Sequence, residues 1–125
     1  ATKVIKLMIQ KGIQIKGANV LILGITFKEN CPDVRNTKVV DIHKELLTYN
    51  TNVDIYDPWA DKEEVMDEYG IDLLDNIDKK KYSAIIFAVS HTAFEEVNFE
   101  ELGSEKSVVF DTKSFIKRNI VDGRL

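Results

Sequence analysis

The residues best equipped for chemistry lie in one polar stretch, residues 24–37, that runs from an apolar segment to the predicted start of a helix. It reads Gly-Ile-Thr-Phe-Lys-Glu-Asn-Cys-Pro-Asp-Val-Arg-Asn-Thr. Phe27 offers an aromatic surface beside the cation of Lys28, and Arg35 adds a second, forked cation. A helix beginning near Asn36/Thr37 would contribute backbone N–H donors, and cations with such donors are what a phosphate group requires. The same residues would also make a solvated loop in which Arg35 pairs with Asp33. Spacing alone does not separate these two readings.

Other polar residues offer less. Cys31 is the chain's one cysteine, and neither His43 nor His91 is near it in sequence, so it reads as a small loop residue rather than a nucleophile. His43 falls mid-helix and reads as a surface residue, while His91 follows an apolar strand and reads as a loop histidine on the ligand side. Asp57 sits where dinucleotide-binding folds place a ribose-binding acid, but before Pro58 a turn role is expected. Trp59 is expected to pack or to meet another domain. No catalytic residue and no metal-ligand set is expected within this chain.

The apolar pattern indicates the frame that positions these residues. Residues 19–24, Asn-Val-Leu-Ile-Leu-Gly, have the continuous hydrophobicity of a strand buried on both faces. Residues 53–56, 83–89 and 107–110 read as further strands, and residues 71–74 as a brief one. Helices are expected over residues 1–11, with Val4, Ile5, Met8 and Ile9 on one face, and after Thr37, with Val39, Val40, Ile42, Leu46 and Leu47 inward. Asp61 with Glu64 forms a capping-box signature for a short helix closing at Gly70, and Asn98 with Glu101 opens a helical turn ended by Gly103. Strands alternating with helices imply right-handed βαβ units. The fold class is therefore α/β, a doubly wound, mostly parallel Rossmann-like sheet with helices on both faces. In such sheets ligands bind beyond the carboxyl ends of the strands, where strand order reverses, and the loop after the first strand is the default site. That loop lacks the Gly-x-Gly-x-x-Gly fingerprint, so a standard grip on a dinucleotide is not expected.

Bulk properties limit the partners. The 125 residues, 44% hydrophobic and 30% charged, fit one globular domain. A net charge of -4, spread along the chain, disfavours nucleic-acid and anionic-membrane binding. No apolar run approaches the roughly 20 residues of a membrane span, and no signal peptide is legible, so a cytoplasmic location is expected. Residues 1–12, starting abruptly without methionine, read as the tail of a longer inter-domain helix, and residues 13–125 as the domain proper.

The segment Lys16-Gly17, the buried strand, and then Leu-Gly-x-Thr-Phe-Lys-x-Asn-x-x-Asp-x-Arg-Asn-Thr resemble the C-terminal domain of the UDP-glucose/GDP-mannose dehydrogenase family. Phe27 to Asn36, with Val-Asp-Ile-Tyr-Asp-Pro-Trp at residues 53–59, is most similar to its UDP-N-acetylhexosamine 6-dehydrogenase branch. The resemblance implies a UDP-sugar-binding domain of an enzyme that oxidises the C6 alcohol of a UDP-N-acetylhexosamine to the uronate, for polysaccharide precursor synthesis. It implies that Phe27, Lys28 and Lys113 contact the substrate, the last where some members carry arginine, and that Arg35 reaches the cofactor NAD. It further implies that NAD and the catalytic cysteine belong to an N-terminal domain absent from this chain, that the chain alone is inactive, and that the full-length enzyme is a homo-oligomer. The alternatives are a receiver-like domain or a non-catalytic nucleotide-binding module. A receiver needs an acidic pair after the first strand, where this chain has Gly24 and Ile25.

Overall fold

A computed structural model describes residues 1–35, 37–77, 82–96, 103–111 and 123–124. The helix α1 (Thr2–Gln10) precedes β1 (Asn19–Leu23), and α2 (Val39–Thr48) leads to β2 (Asn52–Tyr56). Then follow α3 (Lys62–Tyr69), β3 (Tyr82–Phe87), a 3-10 turn (Thr92–Glu96), β4 (Gly103–Asp111) and β5 (Gly123–Arg124). The strands form one sheet in the order β2-β1-β3-β4-β5, and every pairing is parallel.

Side-chain alternation explains the layering. Val20 and Ile22 of β1, Ala84 and Ile86 of β3, and Val108 and Phe110 of β4 line one face, where they meet Val4, Ile5 and Met8 of α1 and Val39, Val40 and Leu46 of α2. Leu21 and Leu23, with Ile85, Phe87 and Val109, face the other way onto Phe94, Leu74 and Ile77. Each of these side chains larger than alanine contributes about 1.5–3 kcal/mol on leaving water. Both faces of β1 and β3 are therefore dry, as a continuous apolar run requires.

Helix ends follow local chemistry. The Asp61 carboxylate accepts from the Glu63 and Glu64 N–H groups, and Gly70 closes α3 with φ of 67°. Thr37 Oγ1 accepts from Val39 N at the entrance to α2.

Three local expectations need correcting. Residues 71–74 do not form a strand: only Leu74 N reaches β2, on Ile55 O, while Ile71 and Leu73 serve as core side chains. Ile9 lies on the exposed side of α1 and Leu47 on that of α2, because the buried stripe of each helix is narrower than its apolar content. The last strand, expected from residue 107, already opens at Gly103; residues 97–102, where a helical turn was expected, lie outside the described residues.

Candidate functional site

The chain leaves β1 towards β2 on one side and returns to β3 on the other, so strand order reverses between β1 and β3. The carboxyl ends of these two strands carry the site. Their ladder continues past the strand ends, because Leu23 O accepts from both Ala88 N and Val89 N. Gly24 follows with φ of 102°, and a Cβ there would lie 2.6 Å from Val89 Cβ. Only glycine fits this backbone and this gap.

Beneath the next residues lies a buried polar cluster assembled from three strand ends. Asp57 Oδ2 accepts from Ile25 N at 2.7 Å and Thr26 N at 3.1 Å. It lies 2.9 Å from His91 Nε2. Asp57 Oδ1 accepts from Trp59 N at 2.8 Å, the Asx turn expected before Pro58. On the other side of the imidazole, Asn30 N donates to His91 Nδ1 at 2.8 Å. That donor leaves Nδ1 only an accepting role, so the ring proton resides on Nε2, shared between Asp57 Oδ2 and Thr26 Oγ1 at 3.1 Å. Thr26 Oγ1 spends its own proton on Lys28 O. The Asn30 side chain bonds the Thr92 hydroxyl and N–H, with Asn30 itself at φ of 52°.

Both Asp57 and His91 side chains have no solvent exposure. Burial works against the charge on Asp57, but hydrogen bonds from His91, Ile25 N and Trp59 N outweigh it and hold the carboxyl below the usual aspartate range. His91 is the loop histidine expected after its strand, and it is fully buried there, with both ring nitrogens engaged.

The outer surface is built differently. Phe27 is 58% exposed although its N–H is bonded to Asp33 O, and Lys28 is exposed beside it. Arg35 Nε and Nη2 grip the two oxygens of Asp33 at 3.1 and 3.2 Å, and the guanidinium holds that carboxyl below its usual range. The pairing of Arg35 with Asp33 is therefore realised. Tyr69 of α3 donates to Val34 O at 2.6 Å and anchors the far end of the loop. Trp59, 43% exposed, lies with its ring 6.2 Å from that of His91. Cys31 is half-buried, and among the described residues no cluster of three or more His, Cys, Asp or Glu side chains is placed to hold a metal. Lys113 lies outside the described residues.

Sequence reasoning picked out Phe27, Lys28 and Arg35 and missed the cluster that lies beneath them. Thr26 and Asn30 belong to the same stretch of loop, but Asp57 and His91 are brought to it only by the pairing of their strands with β1. The available signal was their position, each at or just after a strand's carboxyl end.

A parallel, doubly wound sheet with a polar cluster at its switch point, and without the dinucleotide glycines, defines a Rossmann-like ligand-binding domain. The sequence pattern of the UDP-glucose/GDP-mannose dehydrogenase family, UDP binding domain, matches residues 21–118. The chain belongs to this family. It is 48% identical, over 98% of its length, to a UDP-N-acetyl-D-glucosamine 6-dehydrogenase of Salmonella typhi, and 43% identical, over 99%, to one of Pseudomonas aeruginosa. The chain spans 30% of the length of each. Its fold is shared with the NDP-N-acetyl-D-galactosaminuronic acid dehydrogenase of Methanosarcina mazei, with a TM-score of 0.81 at 19% identity, over 98% of this chain and 28% of that one.

Proposed function

We propose that this chain is the nucleotide-sugar-binding part of an NAD-dependent 6-dehydrogenase that oxidises the C6 alcohol of a UDP-N-acetylhexosamine. The observation that carries the reading is the placing of Phe27 and Lys28. Both are exposed at the carboxyl end of the central strands, on a turn fixed from beneath, in a domain whose family binds UDP. In this reading the Lys28 ammonium neutralises the diphosphate and the Phe27 ring packs on the nucleotide, with Lys113 as a second cation. Identities of 48% and 43% to the two UDP-N-acetyl-D-glucosamine 6-dehydrogenases support the N-acetylhexosamine class.

NAD supplies the hydride acceptor in such a reaction, and the turn after β1 does not fit it. The amides that would meet a pyrophosphate, Ile25 N and Thr26 N, are already bonded to Asp57. In the proposed reading, as the family resemblance implies, NAD is held by an N-terminal domain of the same enzyme, and Arg35 exchanges Asp33 for a contact with it. The proposed setting is a cytoplasmic homo-oligomer that makes polysaccharide precursors.

Isothermal titration of the chain with UDP, UDP-GlcNAc and ADP tests this. Heat with the uridine nucleotides and little with ADP is the expected result. No heat with any uridine nucleotide, or tighter binding of ADP, overturns it.

A further inference from the structure

We infer that Asp57 is a built-in anion occupying the phosphate-binding turn after β1, and that with His91 it positions the Phe27–Lys28 loop before any ligand arrives. The inference deepens the proposed function, and on that reading the clamped loop is the one that receives UDP.

Consecutive backbone N–H groups directed at one point form an anion-binding concavity. Ile25 N and Thr26 N make such a pair here, and the point they share is Asp57 Oδ2. In dinucleotide-binding domains this turn takes the pyrophosphate, while an acid at the end of the second strand takes the ribose. Asp57, just beyond β2, has instead swung inward to the place of the phosphate. A ligand phosphate is excluded there, both by the occupied amides and by the charge on the carboxylate. It is left to the outer side of the turn, where Lys28 is exposed.

His91 carries this restraint further. Its Nε2–H meets Asp57 and Thr26 while Nδ1 receives Asn30 N, so one rigid ring spans the loop that bears Phe27 and Lys28. The Thr26 hydroxyl bonds Lys28 O, and Asn30 is bonded in turn to Thr92. Phe27 and Lys28 are bracketed by Thr26, held by buried hydrogen bonds, and by Asn30, held through its part-buried bond to His91 and its bonds to Thr92. Asp57 and His91 are thus positioning residues.

The test compares the natural chain with Asp57→Gly and Asp57→Asn by amide and imidazole NMR, with and without formate, followed by UDP titration. In the natural chain the Ile25 and Thr26 amides should resonate downfield, and the His91 nitrogens should show an Nε2-protonated ring. Asp57→Gly should move both amides upfield, loosen residues 27–30 in relaxation measurements, and weaken UDP at least tenfold. Formate, small enough to enter the vacated place, should restore the amide shifts and part of the affinity, whereas chloride at equal ionic strength should not. Should Asp57→Gly fail to fold, Asp57→Asn reads the same amides with an uncharged acceptor and should shift them upfield. Unchanged Ile25 and Thr26 shifts in a folded variant, or no formate response in Asp57→Gly, overturn the inference. Amide shifts and formate rescue in a chain that binds no uridine nucleotide would uphold the built-in anion and sink the proposed function instead.

Discussion

Ile25 and Thr26 are buried and tied to a fully buried Asp57–His91 pair, whereas Phe27, Lys28 and Arg35, in the same loop, are open to solvent. The inner residues are held by hydrogen bonds reaching across three strand ends. The outer ones are held by their backbone or, for Arg35, by a surface ion pair. The contrast shows how a small domain combines precision with availability: the groups that fix geometry are desolvated and saturated, while Phe27 and Lys28, the proposed ligand contacts, keep their side chains exposed. It also separates the expected energetics, stability belonging to the inner set and binding to the outer.

The largest effect is expected at the centre of the inner set. Asp57→Ala leaves the Ile25, Thr26 and Trp59 amides without their acceptor and the His91 Nε2–H with Thr26 Oγ1 alone, at about 3–4 kcal/mol in urea unfolding. A loss under 1 kcal/mol would place the stability of this region elsewhere. Acid offers the same test without mutation. The folded-state pKa of Asp57 is depressed, so its contribution is fully present above the ordinary aspartate value of about 3.9 and is lost as pH falls below that value through the folded one. Stability of the natural chain should therefore fall more steeply than that of Asp57→Asn between pH 5 and 2.

Next in size is Gly24→Ala, which combines a positive φ with the approach to Val89 and should cost about 2–3 kcal/mol by thermal or urea unfolding. Lys28→Ala should leave stability within about 0.5 kcal/mol and weaken UDP about tenfold in titration. A variant equally destabilised and weakened would erase the division between inner and outer residues. The smallest effect belongs to Arg35→Ala. Its own side chain is 73% exposed and the pair is screened by water, so the unfolding midpoint should barely move, and UDP binding by this chain should be unchanged.

The sheet was legible because β1 and β3 are apolar on both faces, a pattern that in a chain of this length points to a parallel, covered sheet. Asp61 and Gly70 marked α3 through chemistry confined to one helix. Residues 71–74 misled because Ile71, Leu73 and Leu74 are apolar for packing, and an apolar run beside an edge strand looks like another strand. At the site, Phe27, Lys28 and Arg35 were visible because loop cations next to an aromatic suggest phosphate. The burial of His91 was not legible, because burial of a histidine depends on what the fold brings to it. Its partners, Thr26, Asn30 and Asp57, all lie far away in sequence. No window of the chain contains the cluster, and only the adjacency of β1, β2 and β3 creates it.

That the cluster is shared among three segments has a consequence for exchange between relatives. Residues 24–30 are not a portable cassette. Grafted alone onto another scaffold, they would arrive with two backbone amides seeking a carboxylate and an Asn30 N–H seeking an imidazole. The heritable unit is residues 24–30 together with Asp57 and the His91-Thr92 pair. Recombination that cuts between β2 and β3 would split it, however conservative the junction looked in sequence.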